Sequence, residues 1–332
     1  MSKKRAKKIV VLGGGTGTFM VLSGLKKYPV DLTAIVAMSD NGGSSGSLRD
    51  ELGVLPPGDV RSCLLALSKS DKLMRALMNY RFESGTFKGH SFGNLLLSAL
   101  EKVTGSFDSA VEKASDILRL AGKVIPATLN NVHLMAKFGN RTIRGEEKIQ
   151  TSKLNGSLKK LWLAPTARAN PKALAAIKAA DAIIIGPGNL YASLAPNLLV
   201  RGIPEAIRAS GAKVIFVCNL MTKVEHTRDF SVADYTSAIE KFLRGPVDIV
   251  IYNNKMPDEK RMKRYAREGD AITSWERLPK KRVLIAGNFL SRREHEPNKT
   301  GIAAKESSLV RHDVPRLAET ITHILGVEKR KK

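Results

Sequence analysis

Cysteine is nearly missing from this 332-residue sequence: Cys63 and Cys218 are the only two, far apart and outside any Cys-x-x-Cys pair. That speaks against a disulfide framework and against a cysteine-built zinc site. Aromatic residues make up only 5%, and no aromatic platform, recognition helix or ribonucleoprotein motif is visible. No apolar run approaches the roughly 18 residues that a membrane span needs. The basic start, Met1 to Lys8, runs into Ile9-Val-Val-Leu12 without a small-residue cleavage site, so a cytoplasmic protein is expected. Acidic residues are scarce too: 31 Asp and Glu face 55 Lys and Arg, for a formal net charge of +24. Such a field attracts phosphates and polyanions. Without a recognition motif it predicts no specific nucleic-acid partner, only weak contact of the basic tails with anionic surfaces.

What is present is ordinary globular material, 43% hydrophobic and 26% charged. The expected organisation is a basic tail over 1–7, one α/β domain over 8–326 and a basic tail over 327–332. Lys8 to Leu12 reads as a buried strand, followed by a helix from Phe19 to Lys27 with Met20, Leu22 and Leu25 facing in. Leu32 to Met38 is a second strand, and Ser39 to Gly46 is expected as an irregular loop. Strand, helix and strand in so short a span form a βαβ unit, which favours a parallel sheet. Helices are expected at Asp59–Leu67 with Asp59 as N-cap, Asp71–Arg81, Asn94–Val103 and Asp108–Ala121. Val132–Phe138, Arg141–Arg144 and Lys159–Leu163 read as a small antiparallel meander around 130–165, with turns at Gly139-Asn140 and Asn155-Gly156. The α/β rhythm then resumes: a helix from Pro171, strands at Ala182–Ile185, Lys213–Val217, Asp248–Ile251 and Val283–Ala286, and helices at Pro196–Ser210 and Asp313–Leu325. The fold class this predicts is Rossmann-like α/β: a mostly parallel sheet, helices on both faces and the meander as an insertion.

The first strand ends in Gly13-Gly14-Gly15-Thr16-Gly17-Thr18. Small residues there let backbone N–H groups approach a phosphate, and the following helix adds its dipole. A dinucleotide fingerprint read from Gly13 would put Thr18 where the third glycine belongs, and the loop has no P-loop lysine. The run also resembles the phosphate loop of tubulin-like GTPases, which lies well inside those chains rather than after the first strand. Asp40 ends the second strand, the place of a ribose-binding carboxylate, or of an Asx-turn residue; Asn41 follows it. Asp59, His90, Ser91, Asn94 and Asn219 are further polar candidates, and His90 is read as structural or catalytic. Gly186-Pro-Gly188-Asn189 is a second glycine-rich strand end, as a crevice at a topological switch point requires.

Taken together, Gly-Gly-Gly-Thr-Gly-Thr18, Ser39-Asp-Asn-Gly-Gly-Ser-Ser-Gly46, Leu55-Pro-Pro-Gly-Asp-Val-Arg61, Gly89-His-Ser-Phe-Gly-Asn94, Gly186-Pro-Gly-Asn-Leu-Tyr191, Cys218-Asn-Leu-Met-Thr222 and Leu309-Val-Arg-His-Asp313 resemble the YvcK branch of the CofD/YvcK superfamily, the gluconeogenesis factors. The resemblance runs from about residue 7 to 326. It implies a cytoplasmic regulator tied to gluconeogenic growth, cell shape and peptidoglycan synthesis that binds UDP-N-acetylglucosamine, with cell-wall synthesis proteins as partners and a homo-oligomeric state. The CofD branch is instead a magnesium-dependent phospholactyl-type transferase. It carries an acidic Asn-Thr-Gly-Asp-Asp where this chain has Ser39-Asp-Asn-Gly-Gly43, and losing an acid there weakens a two-carboxylate magnesium site. Tyr265 is the candidate for stacking on a base, or a packed helix tyrosine; Arg311 is the candidate for a diphosphate, or a surface ion pair.

No hydrolytic triad, histidine-rich metal spacing or general-acid pair stands out in the sequence. The expectation is therefore a ligand-binding regulator with no certain cofactor. A CofD-like transferase using Mg2+ and an NAD-binding protein are the alternatives.

Overall fold

The computed structural model describes residues 5–152, 158–259, 261–263, 270–291 and 310–329. Short β-branched runs form the strands: β1 (Lys7–Gly13), β2 (Val30–Val36) and β3 (Lys123–Pro126), then β4 (His133–Phe138), β5 (Arg141–Arg144) and β6 (Leu158–Ala164), then β7 (Ala182–Ile185), β8 (Lys213–Val217), β9 (Ile249–Asn253) and β10 (Val283–Gly287). Seven of them make one sheet in the order β10-β9-β8-β7-β1-β2-β3, with every pair parallel. The order reverses between β1 and β7, because the chain builds β2 and β3 on one side of β1 before it crosses to the other. At such a reversal the connections leave in opposite directions and open a crevice above the strand C-termini.

Alternation along β1 feeds two cores. Ile9 and Val11 pack with Leu22 and Leu25 of α1 (Gly15–Leu25), and with residues of five later helices on the same face. Val10 and Leu12 join the second core on the opposite face, with Ile177, Ile207 and Ile239. This is the Rossmann-like α/β architecture the sequence predicts. Among the described residues no helix is long and apolar enough to cross a membrane.

The remaining helices are α2 (Gly43–Leu52), α3 (Gly58–Leu67), α4 (Lys72–Asn79), α5 (Phe92–Thr104), α6 (Phe107–Ile117), α7 (Glu146–Thr151), α8 (Pro171–Lys178), α9 (Ala195–Leu198), α10 (Ile203–Ala209), α11 (Val232–Leu243) and α12 (Val314–Ile324). Several depart from expectation. α1 starts four residues early, so Gly15 to Thr18 are helix; Val21 is buried and Met20 only partly so. The expected loop Ser39–Gly46 ends at Gly42, because Gly46 packs on the backbone of Asn41, where a Cβ would collide, and α2 winds around that contact. The helix expected at Pro196–Ser210 is split into α9 and α10 by a break at Gly202, and a wide π-type turn (Leu190–Leu194) precedes α9. The antiparallel insertion is present, but β4 lies in its middle (order β5-β4-β6), since α7 carries the chain across between β5 and β6. The turn expected at 155–156 lies outside the described residues.

At the sheet's other end, Arg5 is paired to Asp181 at 2.8 Å, and the Lys8 amide donates to the same carboxylate at 2.8 Å. The inner part of the expected 1–7 tail is thus docked against the start of β7.

Candidate functional site

β1 delivers Gly13 and Gly14 to the crevice, and α1 begins at Gly15 with no side-chain cap. The first amides of a helix have no intrahelical partner. Here the Gly15 amide donates to the Asp59 carboxylate, and a Cβ on Gly14 would run into that same carboxylate. Gly15 itself has φ +63, a left-handed conformation that favours glycine. A Cβ on Gly17 would strike the Pro187 carbonyl, so the two glycine-rich loops pack directly on each other. The two threonines part ways. Thr16 is exposed, whereas Thr18 is fully buried and its hydroxyl donates to the Gly14 carbonyl at 3.2 Å.

The loop after β7 is held from β8. Asn219 donates from Nδ2 to the Gly188 carbonyl at 2.8 Å, and the Gly188 amide donates back to Asn219 Oδ1 at 3.4 Å. Asn189 accepts from the amides of Tyr191 and Ala192, both at 3.1 Å. Both asparagines thus shape the loop with the groups that the sequence offers to a ligand.

β2 ends at Val36, so Asp40 lies in the loop four residues beyond it rather than at the strand end, its Oδ1 accepting the Gly42 amide at 2.9 Å. Next to it, Asn41 Oδ1 accepts the Glu147 amide at 3.1 Å, tying α7 of the insertion to the crevice rim. Asp59 is not an N-cap. α3 starts one residue before it, after Pro57 and without a side-chain cap, which frees the Asp59 carboxylate to face Gly14 and Asp40. Burial, and then the charge of Asp40, push Asp59 up to about 7. Burial raises Asp40 as well, against the Gly42 amide, the Ser45 hydroxyl and the charges of Arg61 and Arg49. Arg61 answers both acids; burial foremost, with Arg81, lowers it to about 10.

A chain of polar side chains continues from this cluster. Arg61 Nε donates to Asn94 Oδ1 at 2.8 Å, Asn94 Nδ2 donates to Ser44 Oγ at 3.1 Å, and Ser44 shares a 3.1 Å hydrogen bond with His90 Nδ1. Ser91 is spent otherwise: it is buried and caps α5, accepting the Asn94 amide at 3.3 Å. Sequence reasoning named Asp40, Asp59, His90 and Asn94, but not Arg61 or Ser44, nor the meeting of the two acids. The only signal for that meeting is Gly58, whose missing Cβ leaves room for Asp40 and Ser45 against α3.

Arg311 reaches the C-terminal edge of the sheet by another route. Its carbonyl accepts the Ser291 amide at 2.8 Å, and Leu290 bridges to His312 just beyond β10. The buried His312 donates to the Cys218 carbonyl at the end of β8, and burial pushes it down to about 4. Arg311 is half-buried beside this anchor. Tyr265 lies outside the described residues.

The family model described as 2-phospho-L-lactate transferase CofD matches residues 9–287. The chain belongs to the CofD family. Within it, the chain is 37% identical over 323 residues to the gluconeogenesis factor of Bacillus subtilis, covering 96% of this chain and 98% of that one. It is 42% identical over 269 residues to the gluconeogenesis factor of Halalkalibacterium halodurans, covering 80% and 83%. A crystal structure of a UPF0052 family member from Bacillus halodurans superposes with a TM-score of 0.87 at 35% identity, covering 96% and 99%. The CofD-family match spans β1 through β10, and so takes in both glycine-rich loops and the Asp40–Asp59 pair.

Proposed function

We propose that this protein is a cytoplasmic, nucleotide-sugar-binding regulator of the gluconeogenesis-factor type, with UDP-N-acetylglucosamine as ligand, linking gluconeogenic growth to cell shape and peptidoglycan synthesis. The observation that carries the ligand class is the uncapped start of α1 at the switch point, faced by the Gly186–Gly188 loop. With the Gly15 amide taken by Asp59, the following first-turn amides and the helix dipole suit a diphosphate. Names of relatives supply the physiological context, and the family resemblance supplies the sugar. Thr16 offers a clean test because it is exposed in the first turn. Thr16→Glu places a carboxylate where it favours the helix and repels a diphosphate. The variant keeps or raises its melting temperature and loses at least tenfold in affinity for UDP-N-acetylglucosamine. Unchanged affinity would remove the diphosphate from α1.

A second reading is favoured by one observation, the half-buried Asp40–Asp59 pair. The transferase branch of the CofD family uses magnesium; this chain has one acid fewer in the loop after β2, and Asp59 from α3 stands beside the Asp40 that remains. Magnesium takes one or two carboxylates plus substrate phosphates, and the two acids fit that role beside the α1 amides. When bound, the ion would neutralise phosphate charge during group transfer. The chain's own part is to hold the phosphates on the amides of α1 and to keep Arg61 on the acids. Stabilisation by magnesium that Asp59→Asn abolishes is the signature of this reading.

A further inference from the structure

The insertion's small sheet has two unlike faces. Leu134, Ala136, Phe138, Ile143, Leu161 and Leu163 are buried in the core. The opposite face carries His133, Met135, Lys137, Thr142, Arg144, Lys160, Trp162 and Ala164, with no acidic side chain among them. At one end of that face lies a cavity of about 380 Å³ lined by Asn131, His133, Met135, Arg144, Ala164 and Pro165. Pockets for small molecules typically measure roughly 300–1,000 Å³.

One guanidinium group, that of Arg144, lines this cavity, and a second, that of the buried Arg49, stands behind it on the same imidazole. Arg49 Nη2 lies 3.1 Å from His133 Nε2, and Arg144 Nη2 lies 2.7 Å from the same atom. Guanidinium groups only donate, so Nε2 accepts from both, and the His133 proton sits on Nδ1. Burial, then Arg49 and Arg144, hold His133 below its usual pKa, with Asp50 acting weakly the other way. Arg49 is 3% exposed, yet its Nη1 is buried without a hydrogen-bond partner, and Arg49 makes no ion pair among the described residues. Like charges this close, with a donor left over, are costly unless an anion joins them.

From this geometry we infer that the cavity beside β4 is a second ligand site, distinct from the crevice, which takes the phosphate group of a small phosphorylated molecule. Arg144 presents a donor fork that matches phosphate oxygens. Asn131 and His133 add polar groups to the lining, Arg49 adds positive charge from behind His133, and the apolar lining from Met135, Ala164 and Pro165 is left for the rest of the molecule. Arg49 and Asp40 also feel each other's charge, so the site stands within electrostatic reach of the crevice acids.

Inorganic phosphate is the probe, titrated at constant ionic strength while the ring-nitrogen resonances of His133 are followed by NMR. The assignment comes from His133→Gln. Saturable binding of one phosphate per chain that moves the His133 resonance is expected. Arg144 is exposed, so Arg144→Gln and Arg144→Glu should fold as wild type, and both weaken the binding at least tenfold. Thr16→Glu leaves it intact, and saturating UDP-N-acetylglucosamine does not reverse the His133 shift. A His133 resonance that phosphate does not move would overturn the site, as would binding indifferent to both Arg144 variants. Loss in Thr16→Glu, or displacement by the nucleotide sugar, would assign the phosphate to the crevice instead. The outcome does not depend on whether UDP-N-acetylglucosamine itself binds.

Discussion

Asp59 is a half-buried acid in the crevice, raised by burial and by the charge of Asp40. An acid whose folded pKa lies near 7 holds its proton more tightly in the native state than in the unfolded chain. Stability therefore falls as pH rises from about 4 to about 7. His312 acts in the opposite sense: its folded pKa is lowered to about 4, so its contribution is lost on acidification below about 6.5. A wild-type pH profile mixes the two, whereas the difference between wild type and Asp59→Asn isolates the acid. Asp59→Asn should melt higher than wild type at pH 7.5 and equally at pH 4; an equal gap at both values would contradict the burial account. Adding millimolar magnesium at pH 7.5 should close that gap if the pair binds the ion, and leave it open if the acids serve only the fold. Arg311 is a second point at this scale. Truncating a charge-assisted donor to a diphosphate costs roughly 1.5–3 kcal/mol, or about ten- to a hundredfold in affinity at about 1.4 kcal/mol per tenfold. Arg311→Ala should show that loss for UDP-N-acetylglucosamine in calorimetry, with its unliganded melting temperature within a degree or two of wild type. Full affinity would place the diphosphate elsewhere.

Elements show how much the pattern alone reveals. β7 begins and ends where its apolar run does, and β8 lies within one residue of its own, because a strand buried on both faces writes itself as an unbroken apolar run. The starts of α1 and α2 are hidden, because glycine-rich segments read as loops while their close packing leaves no mark in the pattern: Gly17 on the distant Pro187, Gly46 on Asn41 five residues back. Gly24 is the same case in the middle of α1. A Cβ there would lie 2.8 Å from the Ala318 Cβ and 3.0 Å from the Val314 carbonyl of α12. Replacing a mid-helix glycine by alanine normally gains roughly 0.5–1 kcal/mol, but overpacking costs about 1–3 kcal/mol, and the second effect wins here. Gly24→Ala should lower stability in urea by about 1–2 kcal/mol net, and Ala318→Gly in the same chain should restore part of it. A Gly24→Ala protein more stable than wild type would show that α12 yields at no cost.

Across the whole molecule, the switch point was legible and the acid pair was not. Two glycine-rich strand ends predict a crevice at a reversal of strand order, and β1 and β7 are neighbours on either side of that reversal. Asp40 and Asp59 belong to different elements, and only the packing of α3 against the end of β2 brings them together. No spacing rule announces such a pair. The polar chain from Arg61 to His90 is hidden for the same reason, since it joins α2, α3 and the start of α5. The insertion looked like a plain meander, and its role in closing the rim through Asn41 and Glu147 is a tertiary fact. The central claim is that this crevice selects a nucleotide sugar. Calorimetric titration of the full chain with UDP-N-acetylglucosamine, NAD, GTP and GDP tests it most directly. The account predicts saturable one-to-one binding of UDP-N-acetylglucosamine and at least tenfold weaker binding of the other three. Binding of NAD or GTP with no response to the UDP-sugar at millimolar concentration would contradict it.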